Sequence, residues 1–240
     1  MHAANASYTV NHLSTTVVLN QNTSASVREV LTVTISNVSI SQYAQDRTDL
    51  NLTLSTWQSL IGPLLVQHVI NPKSGVYNFK FLPGPPTPAI TGQEQAQLLM
   101  TYDVKNVTSV NQTAPRKFVY AFNPSVLNFE HGASGVVLNP NTTLTIIVPS
   151  SAVITEIYPV PDLPIDALAS NYTNVTHVSW LYQEPLSKFS LVFIIRQSIQ
   201  AEVLSFFSAI YDYLGVFTYA IIAAAIFLLI LYTYIKTVEK

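Results

Sequence analysis

The chain has 240 residues, and only 10% of them are charged, with 13 acidic and 11 basic residues giving a formal net charge of -2. Soluble domains average roughly 25% charged residues, and neither sign of charge clusters along this chain, which excludes an electrostatic case for nucleic-acid binding. Cysteine is absent, which excludes disulfides, thiolate catalysis, cysteine-ligated zinc and iron–sulfur clusters.

The chain begins MHAANASYTV, without the basic and apolar regions of a signal peptide. Two interpretations follow from this start. The chain is a mature form carrying an initiator-like Met, or it is a tail-anchored protein with its bulk in the cytoplasm.

Alternating apolar and polar residues predict strands through most of the chain. Leu31, Val33 and Ile35 share one parity, and the faces switch afterwards, which predicts a strand end or bulge near residues 36–38. The leucines of residues 50–55 predict another half-buried strand with Asn51 facing solvent. Further runs with the same alternation are Tyr77/Phe79/Phe81, Leu144/Ile146/Val148 and Phe189/Leu191/Phe193/Ile195.

These short segments, separated by Pro, Gly and Asn, predict a mainly β fold with one or two β-sandwich (Ig-like) ectodomains. Residues 82–88 include four prolines and predict an exposed, stiff loop. A break at 111–115 suggests two parts, 1–115 and 116–196.

Asn-x-Ser/Thr sequons are unusually frequent. Nine of the sixteen asparagines lie in one, where chance would give roughly three, so the pattern favours a glycosylated surface protein with N-linked glycans as its only expected attached groups. The alternative is a polar chain whose sites are unmodified. The predicted glycosylation sites are Asn5, Asn22, Asn37, Asn51, Asn106, Asn111, Asn141, Asn171 and Asn174.

The apolar period changes to that of a helix near residue 197. Residues 197–213 predict a juxtamembrane amphipathic helix in which Phe206, Phe207 and Ile210 lie near one face. This face either binds a partner or a second copy, or it simply packs on the last β-domain or rests at the membrane interface.

Residues 214–235 contain no charged side chain, which predicts a single transmembrane helix followed by a cytoplasmic tail at 236–240. Within this span Ala220 and Ala224 are four residues apart, a spacing that permits close helix packing. The expected partners are therefore the lipid bilayer, other envelope or membrane-complex proteins, and a second copy through residues 197–235. The expected location is the cell membrane, with the bulk of the chain extracellular.

Catalytic and metal signatures are weak. The sequence contains no GxSxG, GxGxxG, P-loop or HExxH, and its five histidines lie far apart. Glu130 and His131 are adjacent, but neighbours on a strand point to opposite faces. Asp46, Asp49 and Asn51 lack the glycine and glutamate of a calcium loop. We expect no catalytic, cofactor or metal site, and we interpret Trp57 and Trp180 as core aromatics.

The sequon density, the missing cysteine and the few charges together resemble archaeal cell-surface proteins, particularly those of thermoacidophiles. The resemblance implies a non-enzymatic, membrane-anchored glycoprotein with a structural, anchoring or adhesive role in the envelope, such as a surface-layer component. The chain departs from membrane-anchored surface-layer proteins in lacking a long coiled-coil stalk.

Two other functions remain open. The chain is alternatively an accessory ectodomain subunit of a membrane enzyme or transport complex that binds a metal or ligand. The other alternative is an envelope protein of an archaeal virus, which has the same sequence features as a host surface protein.

Overall fold

The computed structural model describes residues 8–68, 75–89, 93–126, 130–132, 135–138, 140–165, 172, 175–181, 188–215 and 217–238. The chain divides into two compact units. The larger contains Met1–Thr113 and Phe118–Ile195, and the smaller contains Ala114–Lys117 and Arg196–Lys240.

The larger unit is mainly β, as the sequence predicts. Its strands are β1 (Tyr8–Leu19), β2 (Ala25–Ile35), β3 (Val76–Pro83), β4 (Thr87–Pro88), β5 (Glu94–Val104), β6 (Thr108–Ala114), β7 (Lys117–Phe122), β8 (Glu130–Gly132), β9 (Gly135–Val137), β10 (Thr142–Ile147), β11 (Ala152–Tyr158), β12 (His177–Leu181) and β13 (Ser190–Arg196). The helices of the chain are α1 (Ile40–Thr48), α2 (Leu54–Ile61), α3 (Ile199–Leu214) and α4 (Phe217–Val238).

The strands form two main sheets and a small hairpin. The seven-stranded sheet has the order β12-β10-β1-β2-β5-β3, with β4 also pairing β5, and the four-stranded sheet has the order β11-β13-β7-β6. Strands β8 and β9 pair only with each other among the described residues. The pairing of β1 with β10 is parallel, so the larger sheet contains strands from both sides of residue 115.

One face of the seven-stranded sheet is covered by two different layers. Towards one end, Leu31 and Leu98 pack under α1, α2 and the 3-10 turn Pro63–Val66, where Trp57 and Leu65 are buried. We call this cluster the helix-covered core. It places Trp57 in the interior, as predicted.

Towards the other end, the same face packs against the four-stranded sheet. Val17 and Val27 of the larger sheet share this second cluster with Phe193 of the smaller sheet, and Trp180 is fully buried in it. Tyr120 and Phe193 stack with ring centroids 5.1 Å apart. We call this cluster the inter-sheet core, and it has the two-sheet packing expected of a sandwich.

Several predicted strands are confirmed, including their buried parity. Leu31, Val33 and Ile35 are fully buried, and β2 ends at Ile35 before the 3-10 turn Asn37–Ser39, as the change of faces indicates. The three further alternating runs lie in β3, β10 and β13.

The predicted strand at residues 50–55 is wrong. Leu50 is fully exposed, and α2 begins at Leu54, where Thr53 accepts a hydrogen bond from the backbone N–H of Thr56 at 3.3 Å. The side-chain oxygen of Thr53 thus caps the helix, because the first N–H groups of a helix have no partner inside it. This local capping, with Trp57 and Ile61 buried one turn apart, outweighs the short alternation of leucines.

The predicted loop at 82–88 has more strand structure than expected. Strand β3 continues to Pro83, and Thr87–Pro88 pairs with β5. Between them, Gly84 donates its backbone N–H to the carbonyl of Gln97 at 2.7 Å.

The prediction of a transmembrane helix at 214–235 is wrong. Within the described ranges, no helix is both long and apolar enough to cross a membrane. The apolar run is divided, because Leu214 ends α3 and Gly215 takes a φ of 57° before α4 begins at Phe217. Glycine adopts this left-handed conformation without a Cβ clash, and it commonly ends a helix.

The amphipathic helix predicted at 197–213 corresponds to α3, which begins at Ile199. Tyr211 of α3 and Tyr219 of α4 meet edge to face with centroids 5.7 Å apart. The predicted tail at 236–240 is partly helical, since α4 continues to Val238.

Candidate functional site

The predicted glycosylation sites lie mostly where strands and helices end. Six of the nine sequon asparagines fall within the described residues, and all six are exposed. They are Asn22 in the β1–β2 turn, Asn37 in the 3-10 turn after β2, Asn51 between α1 and α2, Asn106 between β5 and β6, Asn111 in β6, and Asn141 before β10. Asn5, Asn171 and Asn174 lie outside the described residues.

Two of these sequons are neighbours in space. The carbonyl of Thr23 accepts hydrogen bonds from the N–H groups of Val107 at 2.8 Å and Thr108 at 3.4 Å. The sequons of Asn22 and Asn106 therefore share one end of the seven-stranded sheet.

The predicted helix-packing residues are divided between α3 and α4. Phe206 and Phe207 are 61% and 45% exposed, and their rings meet edge to face at 5.8 Å. Ala220 and Ala224 are exposed on α4. Ile210 belongs to α3, and its side chain lies outside the described part of the structure.

The open face of the seven-stranded sheet carries a trough with polar and charged side chains that no sequence pattern predicts. The trough has a volume of about 500 Å³ and is lined by residues of β1, β2, β3 and β5. The register places Arg28, Thr101 and Lys80 in one row across these strands. Ser26 and Asp103 stand opposite each other in the next row.

An irregularity in β3 completes the trough. The pairing of β3 with β5 shifts between Tyr77 and Lys80, and Asn78 takes a φ of 54°. Asparagine is among the few residues that tolerate this region. The shift turns the Asn78 side chain towards Asp103, while the next residue, Phe79, packs against the two cores.

The carboxylate of Asp103 is held by two neighbours. Ser26 Oγ donates to Oδ1 at 2.7 Å, and Asn78 Nδ2 donates to Oδ2 at 2.8 Å. These hydrogen bonds lower the pKa of Asp103 below its usual value, because they favour the charged form. Asp103 is therefore a fixed, ionised acceptor at neutral pH.

The two cations of the trough are available for a ligand. Among the described residues, neither Arg28 nor Lys80 has a hydrogen-bond or ion-pair partner. Both side chains are exposed. Strands in a sheet are about 4.8 Å apart, so the two backbones lie roughly 10 Å apart on either side of Thr101.

A second polar group is buried between the two cores. Glu29 is 0% exposed, and its Oε1 accepts from Tyr102 Oη at 2.6 Å and lies 2.7 Å from His68 Nδ1. Thr15 stands opposite Glu29 on β1. Burial and the adjacent Glu29 carboxylate raise the pKa of Tyr102, so its phenol remains a donor.

This cluster has unused hydrogen-bonding capacity among the described residues, since Glu29 Oε2 and Thr15 Oγ1 are buried without a hydrogen-bond partner. A buried carboxylate needs partners because transfer from water is costly. Tyr102 and His68 supply them. The cluster is closed to solvent, with His68 and Tyr102 each 3% exposed, and it links the two cores rather than presenting a site.

The other candidate groups do not converge. Asp49 accepts a hydrogen bond from the backbone N–H of Asn51 at 2.9 Å, and Asp46 accepts one from the Gln42 side chain at 2.7 Å. Each carboxylate therefore bonds to a residue close to it in the sequence. No group of three or more His, Asp or Glu residues within the described ranges is placed to hold a metal ion. His131 lies in β8, and its side chain is outside the described part.

Part of what was missed has a signal in the sequence. Glu29 shares the apolar parity of Val27 and Leu31, which marks a charged residue on a buried face. The trough has no comparable signal, since it depends on the pairing of β2, β5 and β3 and on the irregularity at Asn78.

The fold and site together define a mainly β protein of two packed sheets with exposed sequons and a polar trough on an open sheet face. No protein-family model matches the chain, and no curated protein is significantly similar to it.

Proposed function

We propose that this chain is a non-enzymatic extracellular glycoprotein with a structural or adhesive role in a cell envelope. The observation that carries the proposal is the exposure of all six sequon asparagines within the described residues. A glycan is bulky and hydrophilic, so it requires an acceptor on the surface.

The positions of these asparagines also support the proposal. Asn22, Asn106 and Asn141 lie in turns, and Asn106 and Asn141 take φ values of 57° and 61°. An acceptor between two strands can carry a bulky glycan without interrupting strand pairing.

The experiment is glycopeptide mass spectrometry on the chain taken from its native source. We expect glycans at several of the exposed sites, including Asn22, Asn106 and Asn141. Asn20 and Asn78 lie outside sequons and provide the matched control, since we expect neither to be modified. Absence of glycans at every sequon, in a host that glycosylates other surface proteins, would contradict the proposal.

The exposed apolar residues of the smaller unit support lipid as a partner. Ile226, Phe227 and Leu228 are 55%, 64% and 63% exposed. Consecutive helical residues point about 100° apart, so these three cover most directions around α4. Exposed apolar patches of this kind mark interaction surfaces, and a lipid surface can cover them without a shape-matched protein partner.

Flotation with phosphatidylcholine vesicles tests this part of the proposal. We expect the full chain to float, and Ile226→Lys/Leu228→Lys to float less. Val153→Lys/Leu82→Lys is the control, since it changes two exposed apolar residues of the strands instead. Equal loss in both variants, or self-association of the wild type without vesicle binding, would contradict a lipid partner.

A further inference from the structure

We propose that the trough formed by Arg28, Lys80, Asp103 and their neighbours binds an acidic saccharide, meaning a sugar chain that carries carboxylate or sulfate groups. The inference deepens the adhesive role proposed above and rests on it. The site is distinct from the sequons and from the buried cluster around Glu29.

The cations favour a negatively charged ligand. Arg28 and Lys80 have no hydrogen-bond or ion-pair partner among the described residues, and both line the trough. Since they flank Thr101 from neighbouring strands, their side chains approach a ligand from two sides. Hydrogen bonds between a cationic donor and an anionic oxygen are the stronger kind.

Asp103 requires that the same ligand also carry hydroxyl groups. Its two oxygens are fixed by Ser26 and Asn78 and keep lone pairs for further donors. A second anionic group beside this carboxylate would be repelled, whereas sugar hydroxyls donate to it. A simple inorganic anion would satisfy the cations and leave Asp103 unused.

The size and walls of the trough fit such a molecule. Its volume of about 500 Å³ lies within the range of roughly 300–1,000 Å³ typical of small-molecule sites. Val18 of β1, which is 38% exposed and also lines the trough, supplies an apolar surface for the C–H face of a sugar ring, and Thr101 offers a hydroxyl between the two cations.

The charged residues cover both ends of the trough. Arg28 and Lys80 lie in one row, and Asp103 lies in the next row on β5. Residues two apart on a strand are about 7 Å apart, comparable to the length of one sugar unit. We infer that an acidic group lies in the cationic row while hydroxyls of the same or the next unit lie beside Asp103.

The test is titration of the full chain with a hyaluronan tetrasaccharide, which carries carboxylates, by calorimetry at low salt. We expect measurable binding that weakens as salt rises. Arg28→Gln/Lys80→Gln should weaken binding about a hundredfold, because each of the two lost charge-assisted hydrogen bonds is worth about one factor of ten. Asp103→Asn should weaken it by a smaller factor of about three.

The control is Arg47→Gln/Lys188→Gln, which makes the same change in net charge at exposed positions outside the trough. We expect this variant to bind like the wild type. Near-ultraviolet circular dichroism of each variant establishes that the fold is retained.

Any of four results would overturn the inference, the first three by titration and the fourth by competition. The first three are no binding of the tetrasaccharide, equal weakening in the control variant, or equal binding of a neutral chitin tetrasaccharide. Competition by sodium sulfate at the same concentration as the tetrasaccharide would also overturn it, since that would show a site for anions alone. Chain made without glycosylation is used throughout, so a failure here is separate from a failure to find glycans in the native protein.

Discussion

At the scale of single residues, Glu29 is a buried acidic residue that requires hydrogen-bond partners inside the larger unit. Its carboxylate is fully buried, and it depends on Tyr102 and His68 for hydrogen bonds. Removing one partner of a buried charged group leaves that group uncompensated, which costs more than losing an ordinary hydrogen bond.

We therefore expect Tyr102→Phe to lower the free energy of unfolding by about 2–3 kcal/mol, because a carboxylate loses its phenolic donor. Tyr120→Phe is the matched control. Its hydroxyl donates to the neutral carbonyl of Gln21 at 3.1 Å, so its loss should cost about 1 kcal/mol or less. Urea unfolding at neutral pH measures both, and equal effects would show that Glu29 does not need the phenol.

Unlike the hydroxyl of Tyr102, the hydroxyl of Tyr8 should contribute no stabilising hydrogen bond to the fold. This hydroxyl is buried without a hydrogen-bond partner among the described residues, and burial, with a smaller effect from Asp46, raises its pKa to about 12. The folded state therefore favours the neutral phenol. This contribution to stability is complete below the ordinary pKa of about 10 and is lost as pH rises through the folded value.

Replacing Tyr8 with Phe removes both the unpaired hydroxyl and its titration. We expect Tyr8→Phe to be at least as stable as the wild type at pH 7, since no hydrogen bond is lost. Between about pH 10 and 12 it should lose less stability than the wild type. Urea unfolding between pH 7 and 12 measures the free energy of unfolding of both proteins. A clearly lower value for the variant at pH 7 would show that the hydroxyl has a partner.

At the scale of elements, the close approach of residue 84 to β5 fixes the path between β3 and β4. A Cβ at Gly84 would lie 2.7 Å from the carbonyl oxygen of Gln97, and the Gly84 carbonyl accepts from Tyr43 Oη at 2.8 Å. The three atoms nearest to this Cβ all belong to the backbone of Gln97, so no flexible side chain can move aside to make room. The segment can approach β5 this closely only because residue 84 is glycine.

We expect Gly84→Ala to lower the free energy of unfolding by about 1–3 kcal/mol through this overlap. Gly75→Ala is the control, because a Cβ there meets nothing within 4 Å. It should be neutral or raise stability by up to about 1 kcal/mol through the unfolded chain. Similar midpoints of urea unfolding for the two variants would contradict the close approach of residue 84 to β5.

The strands were more predictable than the helices for a physical reason. Residues 31–35 alternate because one face is buried, and this pattern depends only on the sequence itself. The six residues beginning at Leu50 show the same alternation, yet the cap at Thr53 and the burial of Trp57 make a helix. Short alternation is ambiguous, and tertiary packing decides it.

The candidate site was less predictable than the fold. Asn37 has the same parity as the buried residues 31–35, which would place its side chain inward, but it is exposed because β2 ends at Ile35. In the trough, Arg28 and Lys80 lie on either side of Thr101, a residue of β5 that is more than seventy positions from Arg28 in the sequence. The alternation of residues within a segment does not tell which strands pair with one another. The trough can therefore be located only when the pairing register of β2, β5 and β3 is known.

At the scale of the whole molecule, the two cores share the same strands. Val27 and Leu31 of β2 belong to the inter-sheet core and the helix-covered core, respectively, and Glu29 lies between them. Strand β10 joins β1 in parallel, so residues from both sides of position 115 contribute to one sheet. Unfolding either core therefore exposes strands on which the other depends.

We expect the larger unit to unfold in one cooperative transition, and its two tryptophans can report this separately. Trp57 lies in the helix-covered core and Trp180 in the inter-sheet core. In Trp180→Phe the fluorescence reports only the first core, and in Trp57→Phe only the second. Each substitution changes stability, so circular dichroism of the same variant provides the reference for the whole unit.

In each variant the fluorescence and circular dichroism transitions in urea should coincide, as a two-state unit requires. The reason is that β1, β2 and β5 cannot leave one core without exposing the other. A fluorescence transition well separated from the circular dichroism transition would show independent halves, as the predicted parts 1–115 and 116–196 imply. Coincidence in both variants would mean that the parallel pairing of β1 with β10 binds the chain into one folding unit.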